Sequence, residues 1–225
     1  MILNDADLDE AVNAAAFGGF FNQGQICMAT ERIVVDESVA DAFVEKLGKK
    51  AASLSCGDPR EKDAALGCMV SGEAASRNGE LIEDARRKGA KIVAGGTVEG
   101  TVMQPTVVDC VTTEMRLYAE ESFGPVVTVV RVGSIEEAVR VANDTEYGLS
   151  AAVFGRDIGR ALSVARQIES GICHINAATV HDEAQMPFGG VKASGYGRFG
   201  GRAAINEFTD LRWITVQTTP RHYPI

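Results

Sequence analysis

The chain is poor in the residues that build metal, disulfide and nucleic-acid sites, and each scarcity closes off a class of function. It has three histidines, one tryptophan and no block of Lys or Arg longer than Arg86-Arg87-Lys88. With a formal net charge of −9 and a pI near 4.9, neither nucleic acid nor an anionic membrane is expected as a partner. His174, His181 and His222 are too scattered to build a metal site, so no metal is expected. The five cysteines (Cys27, Cys56, Cys68, Cys110 and Cys173) are odd in number, widely spaced and contain no C-x-x-C pair. That spacing argues against a disulfide framework or a zinc site and points to a reducing cytoplasm. No apolar run approaches the ~20 residues of a membrane helix. The first residues are acidic and lack the basic-then-apolar order of a signal peptide.

What remains is ordinary for a globular protein: 225 residues, 45% apolar and 24% charged. That length can bury one large core or two small ones. Asp5 or Asp7 is expected to cap a helix through Phe20, with Leu8, Val12, Ala15, Ala16 and Gly19 on one face. Gly18-Gly19 thins that face for close packing. Residues 31–36 read as a buried strand. Ser38 is then expected to cap a helix carrying Val39, Ala42, Phe43, Leu47, Ala51 and Leu54 at helical spacing. Residues 56–70 read as a loop, since glycine, proline and alternating charges interrupt any period.

A charged helix over 71–88 leads to a strand over 91–94. Strands follow over 106–111 and 126–132, the second nearly all β-branched and suited to burial on both faces. Ser134 caps a helix to Asn143. A strand over 149–154, a helix over 157–168 and a strand over 171–176 complete the alternation. Repeated strand–helix order predicts an α/β three-layer domain with a mainly parallel sheet. Residues 177–201 form a long glycine-rich loop, a kind of segment that is usually functional. A short helix and a closing strand over 213–217 end the chain.

Cys27 stands out by its surroundings. Asn22, Gln23, Gly24 and Gln25 precede it, between an expected helix and an expected strand. A lone cysteine is more often a small buried apolar residue. A polar turn, however, exposes the thiol and leaves free backbone N–H groups for a developing oxyanion.

Four ordered segments then agree with one family. Residues 20–28 (Phe-Phe-Asn-Gln-Gly-Gln-Ile-Cys-Met) resemble the active-site segment of NAD(P)-dependent aldehyde dehydrogenases. Residues 120–126 (Glu-Glu-Ser-Phe-Gly-Pro-Val) and 186–195 (Met-Pro-Phe-Gly-Gly-Val-Lys-Ala-Ser-Gly) resemble two further family segments. Residues 4–8 (Asn-Asp-Ala-Asp-Leu) match the one that opens the helix before the cysteine. The resemblance covers essentially the whole chain. Residues 179–186 and 195–201 resemble the aromatic-aldehyde branch, which oxidises salicylaldehyde, vanillin and benzaldehyde.

The resemblance implies residue roles. Cys27 is the nucleophile that adds to the aldehyde carbonyl, giving a thiohemiacetal and then a thioacyl-enzyme. Glu121 accepts hydrogen bonds from the nicotinamide ribose of NAD or NADP, and Phe123 packs beside it. Phe21, Ile26, Met28 and Phe188 line the aldehyde tunnel. It also implies residues 1–210 as the catalytic domain, with 211–225 as a strand and tail that joins a neighbouring subunit in a dimer or tetramer.

Departures from the family pattern accompany these matches. No glycine-rich strand-to-helix turn precedes Cys27, so no dinucleotide-binding domain is read here. The family's Glu-Leu-Gly-Gly segment, with its general-base glutamate, is absent, and Phe199 stands where many branches carry glutamate. The chain is therefore expected to be an excised or truncated catalytic domain, binding cofactor weakly or not at all and nearly inert alone. Two other readings stay open: a non-catalytic oligomerisation module, and a cysteine hydrolase pairing Cys27 with His174 or His181.

Overall fold

The computed structural model describes residues 1–60 and 64–225; the middle of the expected 56–70 loop lies outside the described residues. In chain order the elements are α1 (Leu8–Phe20), a 3-10 turn (Phe21–Gly24), β1 (Arg32–Asp36), α2 (Glu37–Ala52), α3 (Gly72–Arg87) and β2 (Lys91–Ala94). Then come β3 (Val98–Glu99), β4 (Val102–Met103), β5 (Thr106–Asp109), α4 (Arg116–Ala119), β6 (Val126–Val132), α5 (Ile135–Asn143) and β7 (Tyr147–Gly148). The last are β8 (Ser150–Val153), α6 (Ile158–Ala165), β9 (Ile172–Ile175), β10 (Val191–Lys192) and α7 (Gly201–Glu207).

The main sheet has the order β2-β5-β6-β1, parallel at β5/β6 and β6/β1 and antiparallel only at its β2 edge. A second pair, β8 and β9, is also parallel. The two are joined by the first three residues. Ile2 donates to the Val34 carbonyl and accepts from Asp36 N–H, while Leu3 donates to Phe154 and Phe154 to Met1. That short segment bridges β1 to the Phe154 end of β8.

Strand side chains alternate between two helical layers, as the period of two requires. Ile33, Val35, Val127 and Val129 pack with Val12, Ala16, Phe43 and Leu47 of α1 and α2. Val34, Val108, Val126 and Val130 pack instead with Leu81, Ile82, Ala85, Ala138 and Val141 of α3 and α5. The three-layer, mainly parallel α/β arrangement expected from the sequence is the one observed.

Helix starts follow the capping chemistry. Asp7, Ser71, Ser134 and Asp157 each accept from first-turn N–H groups. At α2 the cap is Asp36 and not the expected Ser38. The Asp36 carboxylate, at the end of β1, already takes the Ser38 N–H at 3.0 Å, so the helix starts two residues earlier. The expected strand over 213–217 is not formed within the chain. Its residues have no ladder partner among the described residues and are exposed, Trp213 by 90%. An edge strand forms only where another strand supplies its hydrogen bonds. The 177–201 segment is loop for most of its length, pinned by β10 pairing with β7 and by a Phe188–Phe199 bridge.

Candidate active site

Helix α1 delivers the chain to the Cys27 turn, and two glycines near its end let it pack tightly. A β-carbon on Gly18 would overlap the Thr30 hydroxyl, and one on Gly19 the Val127 side chain. The chain then turns sharply, with Asn22 at φ 50° and Gln23 at φ 57° in the left-handed region. Asn22 Nδ2 and the Gln25 N–H close the turn, and Gln25 Oε1 accepts from Val70 N–H at 2.8 Å. Cys27 follows, exposed and outside any helix or strand. Among the described residues its backbone N–H donates to no protein group.

The residues 120–126 come to this turn from the other side, and glycine makes the meeting possible. Gly24 has φ 66°, and a β-carbon there would overlap the Gly124 carbonyl; one on Gly124 would overlap the Asn78 amide. The Glu121–Gly124 backbone is held throughout. Arg77 donates to the Glu121 carbonyl at 2.9 Å and Asn78 to the Ser122 carbonyl at 3.0 Å. The N–H groups of Ser122 and Phe123 both donate to the Glu31 carboxylate at 3.0 Å.

A cleft of about 220 Å³ runs between these segments. Ile26, Cys27, Met28, Thr30, Glu31, Glu121, Phe123 and Tyr147 are on its wall. Five of the seven residues singled out from the sequence thus meet in one place. The volume is below the ~300 Å³ at the small end of drug-sized pockets, so it admits a small ligand or one end of a larger one. Cys27 is the one cysteine on this wall. The thiols of Cys56, Cys110 and Cys173 are pushed up by burial, which suits them to packing rather than reaction.

The other two residues lie beyond the cleft wall. Phe21 is half exposed and stacks on Phe17 with centroids 4.9 Å apart, and Phe188 packs on Phe199 at 5.0 Å. His181 bonds Glu183 at 3.3 Å and meets His174 edge-on at 5.4 Å; neither histidine lines the cleft, so neither is placed as a base for Cys27. Burial pushes the Glu121 carboxyl up, helped by the neighbouring Glu146 charge and opposed by a Tyr147 hydrogen bond. Among the described residues no group of His, Cys, Asp or Glu could hold a metal ion.

Glu31 and Tyr147 escape the sequence reading. Glu31 reads there only as the start of a strand, and Tyr147 lies 26 residues beyond Glu121. The usable signal is the carboxylate immediately before β1, four positions after the cysteine.

Known proteins carry the same arrangement of chain. The vanillin dehydrogenase of Pseudomonas sp. (strain HR199 / DSM 7063) is 60% identical over all 225 residues, which make up 47% of its length. The salicylaldehyde dehydrogenase of Pseudomonas sp. (strain C18) is 52% identical, again over the whole chain and 47% of its own. A crystal structure of a salicylaldehyde dehydrogenase from Pseudomonas putida G7, complexed with salicylaldehyde, superposes with a TM-score of 0.95 at 52% identity. It is covered over 46% of its length, against 100% of this chain. The chain therefore spans about half the length of the relatives it matches. The Aldehyde dehydrogenase family pattern matches residues 1–214, and with the fold in agreement the chain belongs to the aldehyde dehydrogenase family.

Proposed function

We propose that this chain carries the nucleophile for NAD(P)-dependent oxidation of an aromatic aldehyde to its carboxylic acid, and that Cys27 is that nucleophile. The observation that carries the reading is the shared cleft: its single cysteine faces the same space as Glu121 and Phe123. The similar proteins are a vanillin and a salicylaldehyde dehydrogenase, which supports the substrate class.

The cleft residues fit the nicotinamide end of a dinucleotide. An ionised carboxylate is acceptor-only, and Glu121, flanked by Tyr147 and the half-exposed ring of Phe123, suits a pair of ribose hydroxyls beside a flat ring. The nicotinamide, when bound, supplies the hydride acceptor.

The chain's own residues do the rest. The Cys27 sulfur forms a bond to the aldehyde carbon as the carbonyl π pair moves to oxygen. The unpartnered Cys27 N–H then faces the oxygen as it gains charge. Loss of hydride from that carbon restores the C=O as a thioester. Water then breaks the C–S bond, releasing acid and thiol. No carboxylate of this chain is assigned to activate that water. Ile26 and Met28 flank the thiol, and Phe21 and Phe188 are assigned to the approach of the aromatic ring.

Turnover tests the reading. The 225-residue chain should form no NADH from vanillin or salicylaldehyde. A hybrid in which it replaces the matching segment of the HR199 vanillin dehydrogenase should form NADH, and Cys27→Ala in that hybrid should abolish it. NADH formation at an undiminished rate by the Cys27→Ala hybrid would sink the assignment.

The exposed apolar tail, with Phe208, Leu211, Trp213, Ile214 and Val216 all in solvent, favours a second, compatible role as an oligomerisation segment. Homo-oligomers are proposed on that ground, and a cytoplasmic location on the five free cysteines.

A further inference from the structure

We propose that Glu31 is a positioning residue, whose carboxylate locks the turn bearing Glu121 and Phe123 to the segment bearing Cys27. The inference rests on the cofactor role given above to Glu121 and Phe123.

Glu31 is an expensive residue at its position. Burial pushes its carboxyl up, the nearby Glu121 charge adds to the rise, and bonds from the Ser122 and Phe123 N–H groups pull the other way. A half-buried carboxylate partly withdrawn from water ordinarily takes a cation, and Arg32 stands next to it in sequence. Arg32 points elsewhere, to the Tyr118, Val141 and Asp144 carbonyls and over the Tyr118 ring. Glu31 takes backbone N–H groups instead: Ser122 to both oxygens and Phe123 to one, each at 3.0 Å.

Those N–H groups belong to a turn that needs holding. Phe123 is at φ 46°, in the left-handed region that side chains other than glycine adopt at a cost. The carbonyls of the same turn are taken by Arg77 and Asn78. Arg77 and Asn78 come from α3, however, and tie the turn only to the far side of the domain. Glu31 ties it to the nucleophile's own segment. Its carbonyl is fixed in turn by the Thr128 N–H and hydroxyl, both at 2.9 Å. The three residues between Cys27 and Glu31 thus set the spacing of thiol and cofactor-holding turn.

The experiment uses the vanillin dehydrogenase hybrid with Glu31, Glu31→Ala or Glu31→Gln. KM for NAD, kcat, melting temperature and the rate of Cys27 alkylation by iodoacetamide are measured for each. Glu31→Ala is expected to raise the KM for NAD about tenfold or more, leaving aldehyde KM and alkylation rate within twofold. Glu31→Gln, which keeps one acceptor oxygen, should recover part of that loss. An unchanged KM for NAD in Glu31→Ala overturns the proposal. So does a loss that tracks the melting temperature across all parameters, which marks a merely structural anchor. A hybrid with Glu31 intact that forms no NADH refutes the cofactor reading itself, and the proposal falls with it.

Discussion

The site depends on single residues that leave almost no tolerance. Gly24 is the clearest case, because it combines a φ of 66° with backbone-to-backbone contact at the Gly124 carbonyl. An alanine there meets both a strained conformation and an atom that cannot swing aside. Gly24→Ala should destabilise the chain by about 1–3 kcal/mol, read by urea unfolding. Gly72→Ala is the matched control. Nothing lies within 4 Å of a β-carbon at Gly72 in the first turn of α3, so its stability should hold or rise slightly. The exposed turn position of Cys27 is legible from its polar neighbours. That Gly24 touches Gly124 is not, since a contact across 100 residues leaves no local pattern. Glu31 was hidden for the same reason, its partners being backbone groups 91 and 92 residues away.

Among the elements, periodicity and capping residues told most of the story, and partners supplied from elsewhere explain what they missed. Helices α1 and α5 begin at expected caps, Asp7 and Ser134, and α3 and α6 are capped by Ser71 and Asp157, the first residues of their expected ranges, because one side chain and the following turn decide the matter. Strand β5 stops at Asp109, short of the expected Val111, where Cys110 turns to φ 60°. The hairpin β3–β4 and the short α4 have too few residues to show a period.

Helix α4 is fastened to α3 by Asp84, which accepts from the Arg116 N–H at 2.9 Å and pairs with Lys88 at 2.9 Å. The Arg116 N–H first, and Lys88 next, hold the Asp84 carboxyl below its ordinary value. A carboxyl lowered on folding stabilises above its unfolded pKa and loses that contribution as pH falls through the folded one. Asp84→Asn should therefore melt below the parent at pH 7, and the gap should close as pH falls below 4. A gap of constant size from pH 7 to pH 3 would contradict the ion-pair account.

At the scale of the whole molecule, the layered fold is dictated by valine-rich strands that must be covered on both faces, and helix and strand order was enough to anticipate it. The tail departs only from the reading of residues 213–217 as a closing strand of this chain's own sheet. The sequence of residues 213–217 suits a strand, but pairing requires a neighbour, and among the described residues none is offered. Removal of residues 209–225 should leave the melting temperature of the monomer within about 2 °C, since the segment is exposed throughout. The same truncation should reduce any oligomer of the chain to monomer by light scattering. No helix of the described residues is long and apolar enough to cross a membrane.

The claim on which the rest depends is that Cys27 forms the covalent bond to substrate. The hybrid enzyme can be mixed with NAD and salicylaldehyde, quenched in acid within the first turnover and digested for mass spectrometry. The account predicts an acyl adduct on the peptide containing Cys27, lost in Cys27→Ala together with NADH formation. An adduct on Cys68 or another cysteine, with turnover intact in Cys27→Ala, would contradict it.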